Sequence, residues 1–88
     1  MTVQTLKEML SLTEFHLAEP EREVSGGYAG DLLSWVMGRA EAGSAWLTIM
    51  SNQNVAAVAL MADAACVVLT EGVQPDPDLL RRAREKGV

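Results

Sequence analysis

Apolar residues recur along this chain at two spacings, and the change from one to the other marks out its elements. From Thr2 to Leu10, Val3, Leu6 and Met9 or Leu10 fall at helical intervals, predicting a short amphipathic helix with Thr5 and Glu8 in a capping-box relation. Glu14-Phe15-His16-Leu17-Ala18 then alternates polar and apolar residues up to Pro20, as a short edge strand does, and the segment Arg22 to Tyr28 is its expected partner. Asp31 is placed to cap a second helix reaching about Ala40, with Leu32, Leu33, Val36, Met37 and Ala40 along one face and Gly43 closing the turn after it. Two short apolar runs follow, Ala45 to Met50 and Ala65 to Leu69. Between them Asn52 or Asn54 can cap a helix running to about Ala62. Strand, helix and strand of that length make a βαβ unit, whose strands are parallel and whose crossover is right-handed. Asp76 as N-cap, Pro77 in the first turn and Gly87 as stop frame the last helix.

These elements predict a small α/β domain of two or three layers, with a mainly parallel central sheet, an N-terminal helix and short edge strands. At 88 residues there is room for one domain. The helix Val55-Ala56-Ala57-Val58-Ala59-Leu60-Met61-Ala62 is apolar on every side and needs cover on both faces. In so small a protein, a second copy of the chain is an expected source of that cover, with Val58 and Met61 at the contact. Trp35 lies off the apolar stripe of its own helix and is a further candidate for the interface of a homodimer.

Charge narrows the partners. Twelve acidic and seven basic residues leave a net charge of −5, which argues against nucleic acid as a partner, because phosphate binding needs clustered Lys and Arg. The one basic cluster, Arg81, Arg82, Arg84 and Lys86, falls in the last helix, where cations complement the helix dipole. No apolar stretch approaches the length of a membrane span and no secretory signal opens the chain, so a cytoplasmic protein is expected. Cys66, the single cysteine, sits in an apolar strand and reads as a small hydrophobe. With His16 the single histidine, neither a histidine metal cluster nor a histidine-based triad can be assembled within one chain. Asp31, Asp63 and Glu71 are the carboxylates that could supply an acid-base pair, and spacing does not bring them together. A non-catalytic protein without a cofactor is the expectation.

In parallel α/β sheets, ligands sit beyond the carboxyl ends of the strands. Two loops fit that rule. Ser51, Asn52 and Asn54 lie between a buried strand and an apolar helix, where amides and free backbone N–H groups could hold a phosphate or carboxylate, or where the asparagines simply cap. Thr70, Glu71 and Gly72 leave the other strand, where Thr70 could donate to a ligand or the segment could be a plain turn. Ser25, Gly26 and Gly27 suit a close backbone approach, but lack the lysine and spacing of a phosphate-binding loop.

Taken in order, Arg22-Glu23-Val24-Ser25-Gly26-Gly27-Tyr28, Asp31-Leu32-Leu33-Ser34, Trp46-Leu47-Thr48-Ile49 and Val67-Val68-Leu69-Thr70-Glu71-Gly72 with Pro75 resemble the DRTGG domain family over nearly the whole chain. The resemblance is closest to stand-alone members that occur with iron hydrogenase systems in anaerobic bacteria. It extends more distantly to the regulatory regions of phosphotransacetylases and CBS-domain pyrophosphatases, and the N-terminal domain of HPr kinases shares the general plan. It implies a regulatory, dimer-forming module, often attached to nucleotide-sensing domains, and it implies no reaction. The expected role is to sense a small anionic metabolite or nucleotide or to dock onto a larger redox enzyme. The alternative is a protein-interaction domain with no small ligand. Two positions depart from the family: Ser51-Asn52-Gln53 replaces its acidic-basic pair, and Glu71 stands where its first glycine would be. Relatives continue past the position of Val88 into a final short strand, so the sequence is expected either to lack an edge strand or to be incomplete.

Overall fold

The apolar run around Trp46 forms the middle strand of a parallel sheet. The computed structural model describes residues 1–88 as α1 (Val3–Met9), β1 (Gly26–Ala29), α2 (Leu33–Arg39), β2 (Ser44–Thr48), α3 (Asn54–Met61), β3 (Cys66–Leu69) and α4 (Pro77–Lys86). The strands lie side by side in the order β1-β2-β3, every pairing parallel, with Tyr28, Trp46 and Val67 abreast. Each successive strand is reached through a helix, the connection parallel neighbours require. The result is the mainly parallel α/β domain that the sequence pattern predicts.

Trp46 is 0% exposed and packs among Val36 of α2, Val55, Ala56, Val58 and Ala59 of α3 and Leu79 of α4. Its indole N–H donates to the Gly30 carbonyl at 2.8 Å, so the buried ring leaves no polar group unpaired. Residues in register share a face of the sheet, so the three helices α2, α3 and α4 gather on the side of Trp46. On the other face Leu47, Cys66 and Val68 are half-buried and Ile49 is exposed, which makes this a two-layer arrangement. Contacts from α2 and α4 cover α3 on both flanks. Val58, expected at a subunit contact, therefore lies inside the core, whereas Leu60 and Met61 stay exposed.

Glu14 to Ala18 is not a strand. Its expected partner is engaged elsewhere: Val3 N–H donates to the Arg22 carbonyl at 2.9 Å, Val24 N–H to the Met1 carbonyl at 2.8 Å, and Thr2 and Glu23 form an isolated antiparallel bridge. Pairing with β2 begins only at Gly26. Residues 11–19 instead cross the molecule as irregular chain, half-burying Leu12, His16 and Leu17.

Local capping also differs from the sequence pattern in two places. In α1 the cap is Thr2, whose Oγ1 accepts from the Thr5 N–H at 3.1 Å, while the Glu8 carboxylate takes the Gln4 amide. Asp31 does not cap α2, which starts at Leu33 after an uncapped Leu32, because its carboxylate is held by β2. Of the predicted α2 face, Val36 is buried and Leu33 and Ala40 touch the core, but Leu32 and Met37 are exposed. The last helix matches its pattern, with Asp76 extended at the N-cap position, Pro77 in the first turn and Gly87 left-handed at the end.

Candidate functional site

The carboxyl ends of the three strands carry Asp31, Ser51, Asn52, Asn54, Thr70, Glu71 and Gly72, and Asp31 and Asn52 are engaged in hydrogen bonds within the fold. Asp31 Oδ1 accepts from the Thr48 hydroxyl at 2.8 Å and from the Ile49 N–H at 3.0 Å, tying the exit of β1 to the exit of β2. Thr48 Oγ1 accepts in turn from the Met50 N–H at 3.1 Å. The Ile49 N–H first, and the Thr48 hydroxyl second, hold the Asp31 carboxyl below its ordinary value of 3.8, so a fixed negative charge stands there at neutral pH. Asn52 Oδ1 accepts from the Asn54 N–H at 2.9 Å and so caps the first turn of α3. The Ser51 carbonyl accepts from the Asp76 N–H at 3.0 Å, and the Thr70 N–H continues the sheet by donating to the Thr48 carbonyl.

Thr70 to Val73 form a tight turn closed by a 3.1 Å bond from the Val73 N–H to the Thr70 carbonyl. Both central residues are left-handed, Glu71 at φ 58° and Gly72 at φ 71°. A side chain in that conformation costs about 1 kcal/mol, the physical reason a glycine would suit position 71.

Ser25, Gly26 and Gly27 lie at the other end of the sheet and join no ligand site with the loops above. The direction of the strands carries that information, since these residues enter β1 whereas the asparagine and threonine loops leave β2 and β3. Ser25 N–H donates to the Gly43 carbonyl at 2.9 Å and its hydroxyl to the Ala42 carbonyl at 3.2 Å. Gly43 is left-handed at φ 84°, and a Cβ there would stand 2.5 Å from Ser25 Oγ. The Asp63 carbonyl accepts from the Gly43 N–H and from Arg22 Nη2, and Arg22 also reaches Asp63 Oδ1 at 2.8 Å. This end is a closed lock between α3, β1 and the chain before it.

The main concavity is one the sequence motifs do not indicate. A cavity of about 450 Å³ opens beside β3, with walls from α1 and residues 11–19 on one hand and from α3 and α4 on the other. All four residues of β3 line it, together with Leu6, Leu12, Phe15, Leu17, Leu80 and Val88. The segment forming its outer wall is anchored at two points: Lys7 pairs with Glu14 at 2.6 Å, and the His16 Nδ1–H donates to the Val88 carbonyl at 2.8 Å. Burial pushes the Cys66 thiol above its ordinary value, while the Arg22 charge pulls the other way. The lining comes from five separated stretches of sequence, none with a motif; the available signal is the unbroken apolar run from Ala64 to Leu69.

Of the residues expected at an interface, Trp35 is 51% exposed under the Arg39 guanidinium, 3.8 Å from its ring centre, and Met61 is 70% exposed. No helix is long and apolar enough to cross a membrane. No protein-family model, no curated protein and no solved structure matches the chain.

Proposed function

We propose that this domain is a non-catalytic docking module whose working surface is the apolar cavity beside β3. The observation that carries this reading is the cavity itself: about 450 Å³ of largely apolar space left open in a domain of 88 residues. Cavities of this size lined by apolar side chains are the usual form of a recognition site. The carboxyl ends of the strands offer less. Asn52 serves as a cap and Asp31 ties two strand exits together, and the ionised Asp31, with the acidic Glu71 at the exit of β3, disfavours an anion there.

Thermal melting against nucleotides, acetyl phosphate and simple anions tests the choice. Ligand that binds only the folded state raises the midpoint by an amount that grows with the logarithm of its concentration over its dissociation constant. The midpoint is expected to stay constant across the panel. A saturable rise with one compound, lost on Asn52→Ala or Thr70→Ala, would make the domain an anion sensor instead.

A homodimer is compatible with this function and has its own support. Leu32 and Trp35, one turn apart, are 55% and 51% exposed. Such a patch, away from the cavity, is the kind a symmetric contact covers. Sedimentation at micromolar concentration is expected to show a dimer that Trp35→Asp dissociates; a monomer before the substitution refutes it. The resemblance to the hydrogenase-associated DRTGG proteins suggests a larger redox enzyme as the docking partner, in the cytoplasm.

A further inference from the structure

The two outer edges of the sheet differ, and β3 is the one left incomplete. We infer that the free edge of β3 accepts an extended, apolar polypeptide segment from a partner protein as a fourth strand of the sheet, an inference that rests on the docking role proposed above. The reasoning starts from the hydrogen bonds. A strand with one neighbour turns alternate N–H and C=O groups away from it. β3 pairs only with β2, and no main-chain or side-chain group outside the sheet bonds to Cys66, Val67, Val68 or Leu69. These outward groups open into the apolar cavity, and the residues that carry them are half-buried. Unpaired backbone groups facing apolar walls identify the occupant by its chemistry: it must bring a matching row of amides and carbonyls, which an extended peptide does and a fatty or aromatic small molecule does not.

The β1 edge supplies the contrast. Gly26, Gly27 and Ala29 are exposed, so water satisfies that edge, and its two glycines present no side chain to grip a partner. At β3, by contrast, an added strand would lie between two walls. Its alternate side chains point to opposite faces, one set toward Leu80 and Ala83 of α4, the other toward Phe15 and Leu17. A strand buried on both faces is apolar throughout, rich in Val, Ile and Leu. Opposite a four-residue β3, about five residues would suffice. The outer wall can yield to admit them, because no main-chain hydrogen bond holds any residue from Thr13 to Ala18.

The test uses the full chain and a library of short peptides, each with a central run of about five Val, Ile, Leu or Thr residues flanked by lysines. Binding is followed by NMR shifts of the Cys66 to Leu69 amides. Peptides are expected to shift those amides, and N-methylation at alternate peptide positions is expected to weaken binding about tenfold per bond lost, with the intervening positions tolerant. Peptides that occupy the cavity but are insensitive to N-methylation at every position would overturn strand addition and leave the docking role standing. If no peptide shifts the β3 amides at millimolar concentration, strand addition and peptide docking both fall. An apolar dye that fills the cavity in that case would reassign it to a small ligand.

Discussion

The Trp46 side of the domain and the cavity side are built from the same kinds of residue and finished differently. Around Trp46, three helices meet one face of the sheet and leave the ring with no exposed surface. Beside β3, α1 and residues 11–19 supply Leu6, Leu12, Phe15 and Leu17, which are apolar enough for a core, yet about 450 Å³ stays open between them and α4. The difference lies in the backbone. Helices α2, α3 and α4 satisfy their own peptide groups and can pack closely, whereas residues 13–18 have no ladder to join and are held by the side chains of Glu14 and His16. Close packing is therefore concentrated on one side and open apolar space on the other.

The largest expected effect breaks the closed side. Trp46→Ala should cost about 3–5 kcal/mol, from lost transfer energy and the cavity left behind, enough to unfold much of a domain this small, as chemical denaturation would show. Gly43→Ala should cost about 1–3 kcal/mol in the same measurement, since the new Cβ meets Ser25 Oγ in a left-handed conformation. Leu17→Ala probes the open side and should cost under about 1 kcal/mol, because a half-buried side chain beside a cavity has few contacts to lose. A loss for Leu17→Ala as large as that for Trp46→Ala would erase the distinction between the two sides.

The smallest effect concerns pH. The Asp31 carboxyl is held below 3.8, so its bonds to Ile49 and Thr48 favour the folded state above the unfolded-state value and are lost as pH falls through the lower folded one. Asp31→Asn should flatten this part of the acid-unfolding curve and leave the neutral region parallel to the parent. Acid titrations of the two proteins that superimpose in slope would remove Asp31 from the strand-exit lock.

The parallel core is readable because its signals are local and redundant. Ala45 to Met50 and Ala65 to Leu69 are short, apolar and β-rich, and the Asp76-Pro77 start and Gly87 stop bracket α4. The same reasoning fails at Glu14 to Ala18. Alternation there reflects one half-buried side of an irregular chain, and the segment expected to pair with it is taken by Met1, Thr2 and Gly43, a competition that no short window can reveal. The loop residues after β2 and β3 do converge, because strand direction orders them, and Ser25 to Gly27 fall at the opposite end for the same reason. The cavity was hidden because it belongs to no single stretch. It exists only where α1, α4 and β3 meet.

The register of the sheet also governs how the chain reaches this state. Trp46 stands opposite Tyr28 on one side and Val67 on the other, each about twenty residues away along the chain, and no hairpin offers a shorter closure. The intervening helices are seven and eight residues long, too short to persist in water before they dock. Neither helices nor sheet can form ahead of the other, so folding should occur in a single cooperative step, with far-ultraviolet circular dichroism and Trp46 emission changing together.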